Sequence, residues 1–207
     1  MRLRKANLQT PAYRTKYRSA EIALFEAYVG AAGCVGDLEE LFAAGVEKLV
    51  LFGTCGVLDR SVGDCGIIIP TAALRDEGTS FHYAPPSDEI EVNPKYREEF
   101  IEILHRHEYT YTQGKVWTTG AFYRETAEKV ARRKAAGCVC VDMECAAVAA
   151  LAQFRGKEVF QFFHASDNLD GGEWEAWSLS QSANITGKDK AALLALELAA
   201  KLAERAE

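Results

Sequence analysis

Hydrophobic residues fall along this chain in two alternating rhythms. One consists of short, nearly unbroken apolar runs such as Lys48-Leu-Val-Leu-Phe52. These are too short for a helix and lack the polar alternate positions of a half-wetted strand, so they read as strands covered on both faces. The other is a helical stripe, with Leu38, Leu41 and Phe42 in a segment at 34–44 that Gly45 is placed to end, and Phe100, Ile103 and Leu104 in a segment at 94–107. Residues 22–29 read as a strand and Gly30-Ala-Ala-Gly33 as a turn, which makes 22–52 a strand–helix–strand unit. Further strands are predicted at 64–70, 109–119, 138–142 and 159–163. Further helices are predicted at 125–136, 143–154 and in the Ala/Leu-rich tail after residue 188. Residues 75–83 form a polar loop rich in aromatics, and Pro85-Pro86 mark an exposed excursion. This order predicts an α/β fold, a three-layer αβα arrangement around a central mixed, largely parallel sheet, with 1–207 as one domain.

Composition narrows the function classes. At 48% apolar and 26% charged, the chain has the balance of a folded protein, and 207 residues suffice for one substantial core. The net charge of −6 argues against a nucleic-acid polymer as partner. The basic stretch from Arg2 to Arg18 is short and lacks a repeated stacking platform. There is no apolar run of signal-peptide or membrane-span length, so a cytoplasmic location is expected and no membrane partner. The six cysteines, Cys34, Cys55, Cys65, Cys138, Cys140 and Cys145, sit mostly in apolar or small-residue runs. Cys138 and Cys140 are one residue apart, not the two to four of a zinc hairpin, so free, mostly buried thiols are expected. His82, His105, His107 and His164 make no ligand pattern, and no metal is expected.

Three segments place polar groups after apolar strands: Gly53-Thr54-Cys55-Gly56, Asp142-Met143-Glu144 and Ser166-Asp167-Asn168. Each has a bland reading. The first has the composition of a tight turn, although glycines beside a hydroxyl also let an anion approach backbone amides. In the second, an acid at a helix start satisfies free amides and meets the helix dipole. Asp142 does that alone, which leaves Glu144 for a ligand. The third is equally a turn. What raises all three is that ligands of open α/β sheets gather beyond the carboxyl ends of strands, and these segments would share that edge.

Five segments in order carry a resemblance to a known family: Leu-Phe-Gly-Thr-Cys-Gly-Val-Leu at 51–58, Arg-Asp-Glu-Gly-Thr-Ser-Phe-His-Tyr at 75–83, Trp-Thr-Thr-Gly-Ala-Phe-Tyr at 117–123, Val-Asp-Met-Glu-Cys-Ala-Ala at 141–147 and Ala-Ser-Asp at 165–167. Over roughly residues 22 to 170 the chain resembles the nucleoside phosphorylase superfamily, of the purine nucleoside and uridine phosphorylase type. The resemblance implies phosphorolysis of a nucleoside N-glycosidic bond to free base and ribose 1-phosphate, with nucleoside and phosphate as partners and no cofactor beyond phosphate as co-substrate.

It also implies roles. Thr54, with the backbone at Gly53, matches the phosphate-holding position. Phe122 matches the aromatic residue that stacks on the base, with Tyr123 its packing neighbour. Met143 lies against the sugar, and Glu144 holds the ribose hydroxyls. Asp167 matches the acid that protonates a leaving purine, supported by Ser166. The loop at 75–83 is closer to the uridine-cleaving relatives, so base preference stays open.

Two departures shape the expectations. Where the family has a phosphate-clamping arginine, this chain has Leu51, which donates nothing. The resemblance also begins several tens of residues into the family's usual chain, which implies an N-terminally shortened member with a sheet edge open to another chain. Three readings follow: Arg75 or Arg124 replaces the clamp, or the enzyme is a nucleoside hydrolase using water, or the protein binds nucleosides without turnover. A homo-oligomer, at least a dimer, is expected, with the aromatic segment from Phe81 to Tyr83 suited to an interface.

Overall fold

The structure, a computed structural model, describes residues 2–4, 9–171, 173–179 and 184–204. Lys5 of the basic N-terminal stretch lies outside the described residues. The chain opens with two antiparallel hairpins. Strand β1 (Arg2–Arg4) pairs with β2 (Gln9–Pro11), and β3 (Tyr13–Tyr17) pairs with β4 (Ala20–Leu24). The predicted strand at 22–29 is thus shorter and displaced, and its partner is β3. The strand–helix–strand unit expected over 22–52 does not form. Tyr17 pairs with Ala20 across a two-residue connection in which Arg18 has a φ of 53°. Closing so short a loop costs less entropy than a crossover over a helix.

Helix α1 (Ala31–Ala43) begins three residues earlier than its apolar stripe suggested, so Gly30-Ala-Ala-Gly33 is its first turn and not a separate one. Gly45, at φ +96°, ends it as expected. Then follow β5 (Lys48–Val57), β6 (Ile67–Asp76), a 3₁₀ turn (Thr79–His82), β7 (Glu89–Glu91), α2 (Arg97–Arg106) and β8 (Tyr111–Thr119). A second 3₁₀ turn (Phe122–Arg124) leads to α3 (Ala127–Ala135), β9 (Cys138–Asp142), α4 (Cys145–Arg155), β10 (Glu158–Asn168), β11 (Glu175–Ala176) and α5 (Ile185–Glu204). Two of the sequence-predicted turns are strand interior: Gly53–Gly56 belongs to β5, and Ser166-Asp167-Asn168 ends β10.

The main sheet runs β11-β10-β5-β9-β8-β6-β7. Its long ladders, β5 with β10, β6 with β8 and β8 with β9, are parallel, whereas β5 with β9, β6 with β7 and β10 with β11 are short antiparallel pairings. This is the mixed, largely parallel sheet expected. Strand β10 also touches β6, Phe163 opposite Ile68 and His164 opposite Ile67, which draws β10, β5, β9, β8 and β6 into a ring. A ring leaves fewer unpaired edges than an open sheet.

Helices cover the sheet in two layers. In one, α2 and α5 bury Phe100, Ile103, Leu104, Leu194 and Leu198 against Phe160 and Phe162 of β10. In the other, Leu38, Leu41 and Phe42 of α1 pack with Val148 and Leu151 of α4. All six cysteines are free, and only Cys65 escapes full burial. The first half of β5 departs from its expected burial: Leu49 and Leu51 are half-buried, and Phe52 keeps 38% of its surface exposed. Both sides of this half of the strand border the cavity described below. Among the described residues, no helix is long and apolar enough to cross a membrane.

Phe100 is fully buried, with the rings of Phe160 and Phe162 centred 5.0 and 4.5 Å away. Phe100→Ala leaves a hole between sheet and helix layer and should cost about 3–5 kcal/mol of stability, measured by chemical denaturation.

Candidate active site

The parallel pairing of β5 with β10 determines where the polar groups fall. The ladder is regular up to Cys55 opposite Ala165, then slips by one residue so that Asp167 lies opposite Gly56. Any larger residue there would have to push neighbouring side chains aside. A Cβ at position 56 would sit 2.5 Å from Leu169 Cδ1 and 3.0 Å from Asp167 Oδ2. Gly53, by contrast, has open space around it.

That space is part of a cavity of about 1420 Å³ bounded by β4 and the segment after it, β5, the ends of β9 and β10, and α5. Gly53 and Thr54 of β5 line it, as do Phe122 and Tyr123 of the second 3₁₀ turn, Met143 and Glu144 before α4, and Ser166 and Asp167 of β10. The eight residues singled out from sequence therefore all border this one cavity. The rings of Phe122 and Tyr123 lie 4.1 Å apart between centres and are tilted by 38°, with Tyr123 89% exposed. An aromatic pair so open to solvent offers a face to a planar ligand.

The acids behind this wall are tightly built in. Asp142 Oδ2 accepts the backbone N–H groups of Glu144 and Cys145 at 2.8 and 2.6 Å, which is the capping expected of it, and Oδ1 accepts from Thr118 Oγ1 at 2.7 Å. Thr118 Oγ1 in turn accepts the N–H of Ala146 at 3.0 Å, so one hydroxyl ties β8, β9 and α4 together. Burial, then the charge of Glu144, pushes the Asp142 carboxyl up to about 7 against those hydrogen bonds. Glu144 accepts the backbone N–H of Gly30 through Oε1, and burial raises its carboxyl too. Asp167 is held at both oxygens, by Ser166 Oγ at 2.8 Å on Oδ1 and by Trp174 Nε1 at 2.9 Å on Oδ2.

Two lining residues escaped sequence reasoning. Glu125 follows Phe122-Tyr123-Arg124 and was absorbed into a predicted helix, whereas α3 starts at Ala127 with Thr126 as its cap. Burial and then the Asp167 charge push the Glu125 carboxyl up to about 7, with Lys129 opposing. Trp174 lies seven residues beyond Asp167 in a polar loop, and an indole there was the available signal.

Neither arginine considered as a replacement clamp belongs to this cavity. Arg75 is buried at the end of β6 and spent on its own loop. It donates to Ser80 Oγ, to the carbonyls of Ala84, Pro85 and Ser87 and to Ser87 Oγ, and lies 4.0 Å from the Phe81 ring centre. Arg124 is exposed and outside the lining. Among the described residues, the lining has seven acids, Glu21, Glu26, Glu47, Glu125, Asp142, Glu144 and Asp167, and one cation, Lys48, whose Nζ donates to the Leu202 carbonyl at 3.0 Å. A wall of this kind favours a ligand that is rich in hydroxyls, carries a planar ring and gains positive charge as it reacts.

The fold is shared with solved structures of phosphorylases. Purine nucleoside phosphorylase from Toxoplasma gondii in complex with immucillin-H superposes with a TM-score of 0.85 at 21% identity, over 99% of this chain and 83% of that one. Uridine phosphorylase from Vibrio fischeri ES114 gives 0.79 at 22% identity, over 95% and 81%. Among curated relatives, a guanosine phosphorylase of Halorubrum lacusprofundi is 30% identical over 160 residues, 75% of this chain and 65% of that protein. A DeoD-type purine nucleoside phosphorylase of Bacillus cereus is 28% identical over 135 residues, 62% of this chain and 55% of that one. The chain thus spans 55% to 65% of the length of these two curated relatives. The family model described as Phosphorylase superfamily matches residues 3–200, and the chain belongs to that superfamily.

The raised Glu125 carboxyl has a consequence for stability. It moves from 4.5 to about 7 on folding, so between those values the folded chain holds a proton that the unfolded chain has lost. Its contribution is full below about pH 4.5 and is lost as pH rises through 7. Buried His164, lowered by desolvation, changes stability in the opposite sense but cancels in a comparison of variants. Wild type should therefore lose thermal stability relative to Glu125→Gln as pH rises from about 5 to about 7.5, as followed by scanning calorimetry at several pH values.

Proposed function

We propose that this chain, acting as one domain, cleaves the N-glycosidic bond of a purine nucleoside by phosphorolysis, releasing the base and ribose 1-phosphate. The observation that carries the reading is the convergence of Thr54, Phe122, Met143, Glu144 and Asp167 on one cavity of a phosphorylase-superfamily fold. The names of the guanosine and purine nucleoside phosphorylase relatives and the Ser166-Asp167 pair favour a purine.

In this reading the exposed Phe122 ring stacks on the base and Met143 packs against the sugar. Glu144 grips the ribose hydroxyls. Its attachment to the Gly30 and Met143 backbone amides fixes the carboxyl group in place at the cavity. As the bond to the base breaks, positive charge grows on the ribose, and the acidic wall stabilises it. Thr54, exposed on β5, offers its hydroxyl to phosphate. No cofactor is required, and a cytoplasmic location suits such a reaction.

One observation favours a second reading, hydrolysis. Leu51 occupies the position expected for arginine, and among the described residues the lining contains no arginine at all. Water would then take the place of phosphate at the same wall.

Incubation with inosine or guanosine, with and without phosphate, separates the two. Phosphorolysis needs phosphate and yields ribose 1-phosphate, whereas hydrolysis proceeds without it and yields ribose. Binding of nucleoside with no turnover in either condition would defeat both. Glu144→Gln should lower kcat by about 10²–10³-fold, read in the same assay. Phe81 keeps 45% of its surface exposed beside the well-anchored Arg75, and Leu24, Tyr28 and Val29 are exposed along the cavity rim. We propose self-association through such surfaces, and light scattering at working concentration should report a dimer or larger; a clean monomer would count against it.

A further inference from the structure

Two unbroken runs of the chain, 21–29 and 46–56, line the same cavity. Side chains of an extended segment point alternately to opposite faces, so a run that borders one space residue by residue presents its edge to it. Strand β5 carries β10 along one edge over its whole length, whereas its other edge is paired only at Gly56 and Val57, with β9. Among the described residues, no strand pairs with that second edge from Lys48 to Cys55. Strand β4 is likewise paired on one side alone, with β3, and residues 25–29 after it belong to neither helix nor strand. An open edge is a row of backbone N–H and C=O groups that a second extended segment at strand spacing satisfies.

The two edges suit each other. Helix α1, thirteen residues long, joins β4 to β5, and a helical crossover of that length is what lets two neighbouring strands run parallel. Residues 22–29 have the apolar composition of a strand. Helix α1 of one layer and α5 of the other both line the gap, so a strand placed in it is covered on both faces, as its neighbours are. Leu24, Val29 and Phe52, which such a strand would bring together with β5, are exposed. The segment is also fastened at both ends. At the β3–β4 turn Arg18 pairs with Glu197 of α5 at 3.3 Å, and Ser19 Oγ donates to Glu204 at 3.3 Å. At the far end Gly30, at φ +95°, donates its N–H to Glu144, the carboxyl read above as holding the ribose hydroxyls. Only the middle has to move.

Resting on the reading of Glu144 as a nucleoside ligand, we propose that residues 22–28 are a strap that pairs in parallel with 48–54 of β5 when a nucleoside binds, closing the outer half of the cavity around it. Ligand and strap share the Glu144 carboxyl, so a nucleoside held there also fixes the Gly30 end of the strap. Contacts made only with the closed strap favour that state, and closure buries the exposed apolar side chains and keeps water from the bond to be cleaved.

Amide exchange followed by NMR, in the free protein and with saturating inosine in the absence of phosphate, tests this. Every second amide from 48 to 55 faces the gap, and these should slow by at least about tenfold when inosine binds. Ala23 is exposed, so Ala23→Glu should leave the melting temperature of the free protein within about 2 °C of wild type. It should weaken inosine binding by about tenfold or more, because closure would bury the new charge. Inosine bound with exchange along 48–55 unchanged would overturn the strap, as would wild-type affinity in Ala23→Glu. If inosine does not bind at all, the nucleoside reading falls and the strap is judged without it. Ala23→Cys combined with Leu49→Cys or with Leu51→Cys, treated with oxidised glutathione, should form a disulfide seen by peptide mass spectrometry and slow the same amides. Failure of both pairs to cross-link counts against the pairing itself.

Discussion

The parallel ladder between β5 and β10 is the constraint on which the rest of the molecule depends. It is the longest pairing in the sheet, and its single slip at Ala165 and Asp167 turns a regular pleat into a place where side chains from two strands meet. Upstream of the slip, Phe160 and Phe162 hold β10 against α2 and α5. Downstream, Ser166 and Asp167 reach the cavity, Asp167 lying opposite Gly56. Strand β10 serves twice, because its middle also pairs with β6 and closes the ring of strands. Rigidity on one side of the slip and chemistry on the other are thus two ends of one strand. A bulge next to an active site commonly re-aims a side chain in this way.

Around that slip the acids are arranged by what donates to them. Asp142 has three donors and a structural task, joining β9 to α4. Glu144 is held by the backbone amides of Gly30 and Met143, and Asp167 by an indole and a hydroxyl. Glu125 has none of these from the described residues, and burial, then the charge of Asp167, pushes its carboxyl up to about 7. These groups line one cavity without being equivalent: burial is the largest influence on Glu125, Asp142 and Glu144, and the charge of a neighbouring acid comes next for Glu125 and Asp142.

Much of this was legible in the residues. Strand β9 was predicted at its observed bounds, and the stripe of Phe100, Ile103 and Leu104 is buried as its spacing requires. Local composition misled where tertiary contact decides. Gly53-Thr54-Cys55-Gly56 has the look of a turn, yet Gly56 is a strand residue made small by the approach of Leu169 and Asp167 from β10 and its continuation. No local pattern reports a neighbour more than a hundred positions away. Residues 22–29 were misplaced because their true partner, Tyr13–Tyr17, lies earlier in the chain and carries a mostly polar, weakly periodic sequence. Arg75 was a plausible phosphate ligand by residue type, but in the fold its donors are used up by its own loop. Glu125 gave no signal at all, since an acid before a helix is ordinary.

The charge of the cavity wall reaches further than the bond it would cleave. Among the described lining residues Glu21 is paired with Arg14 and Glu47 with Lys157, and burial pushes the carboxyls of Glu125, Asp142 and Glu144 toward their neutral forms. The wall is therefore less negative near neutral pH than a count of its acids implies, and its field strengthens as pH rises and those groups ionise. A neutral nucleoside would feel that change little, whereas an anionic partner such as phosphate would be admitted best on the acidic side.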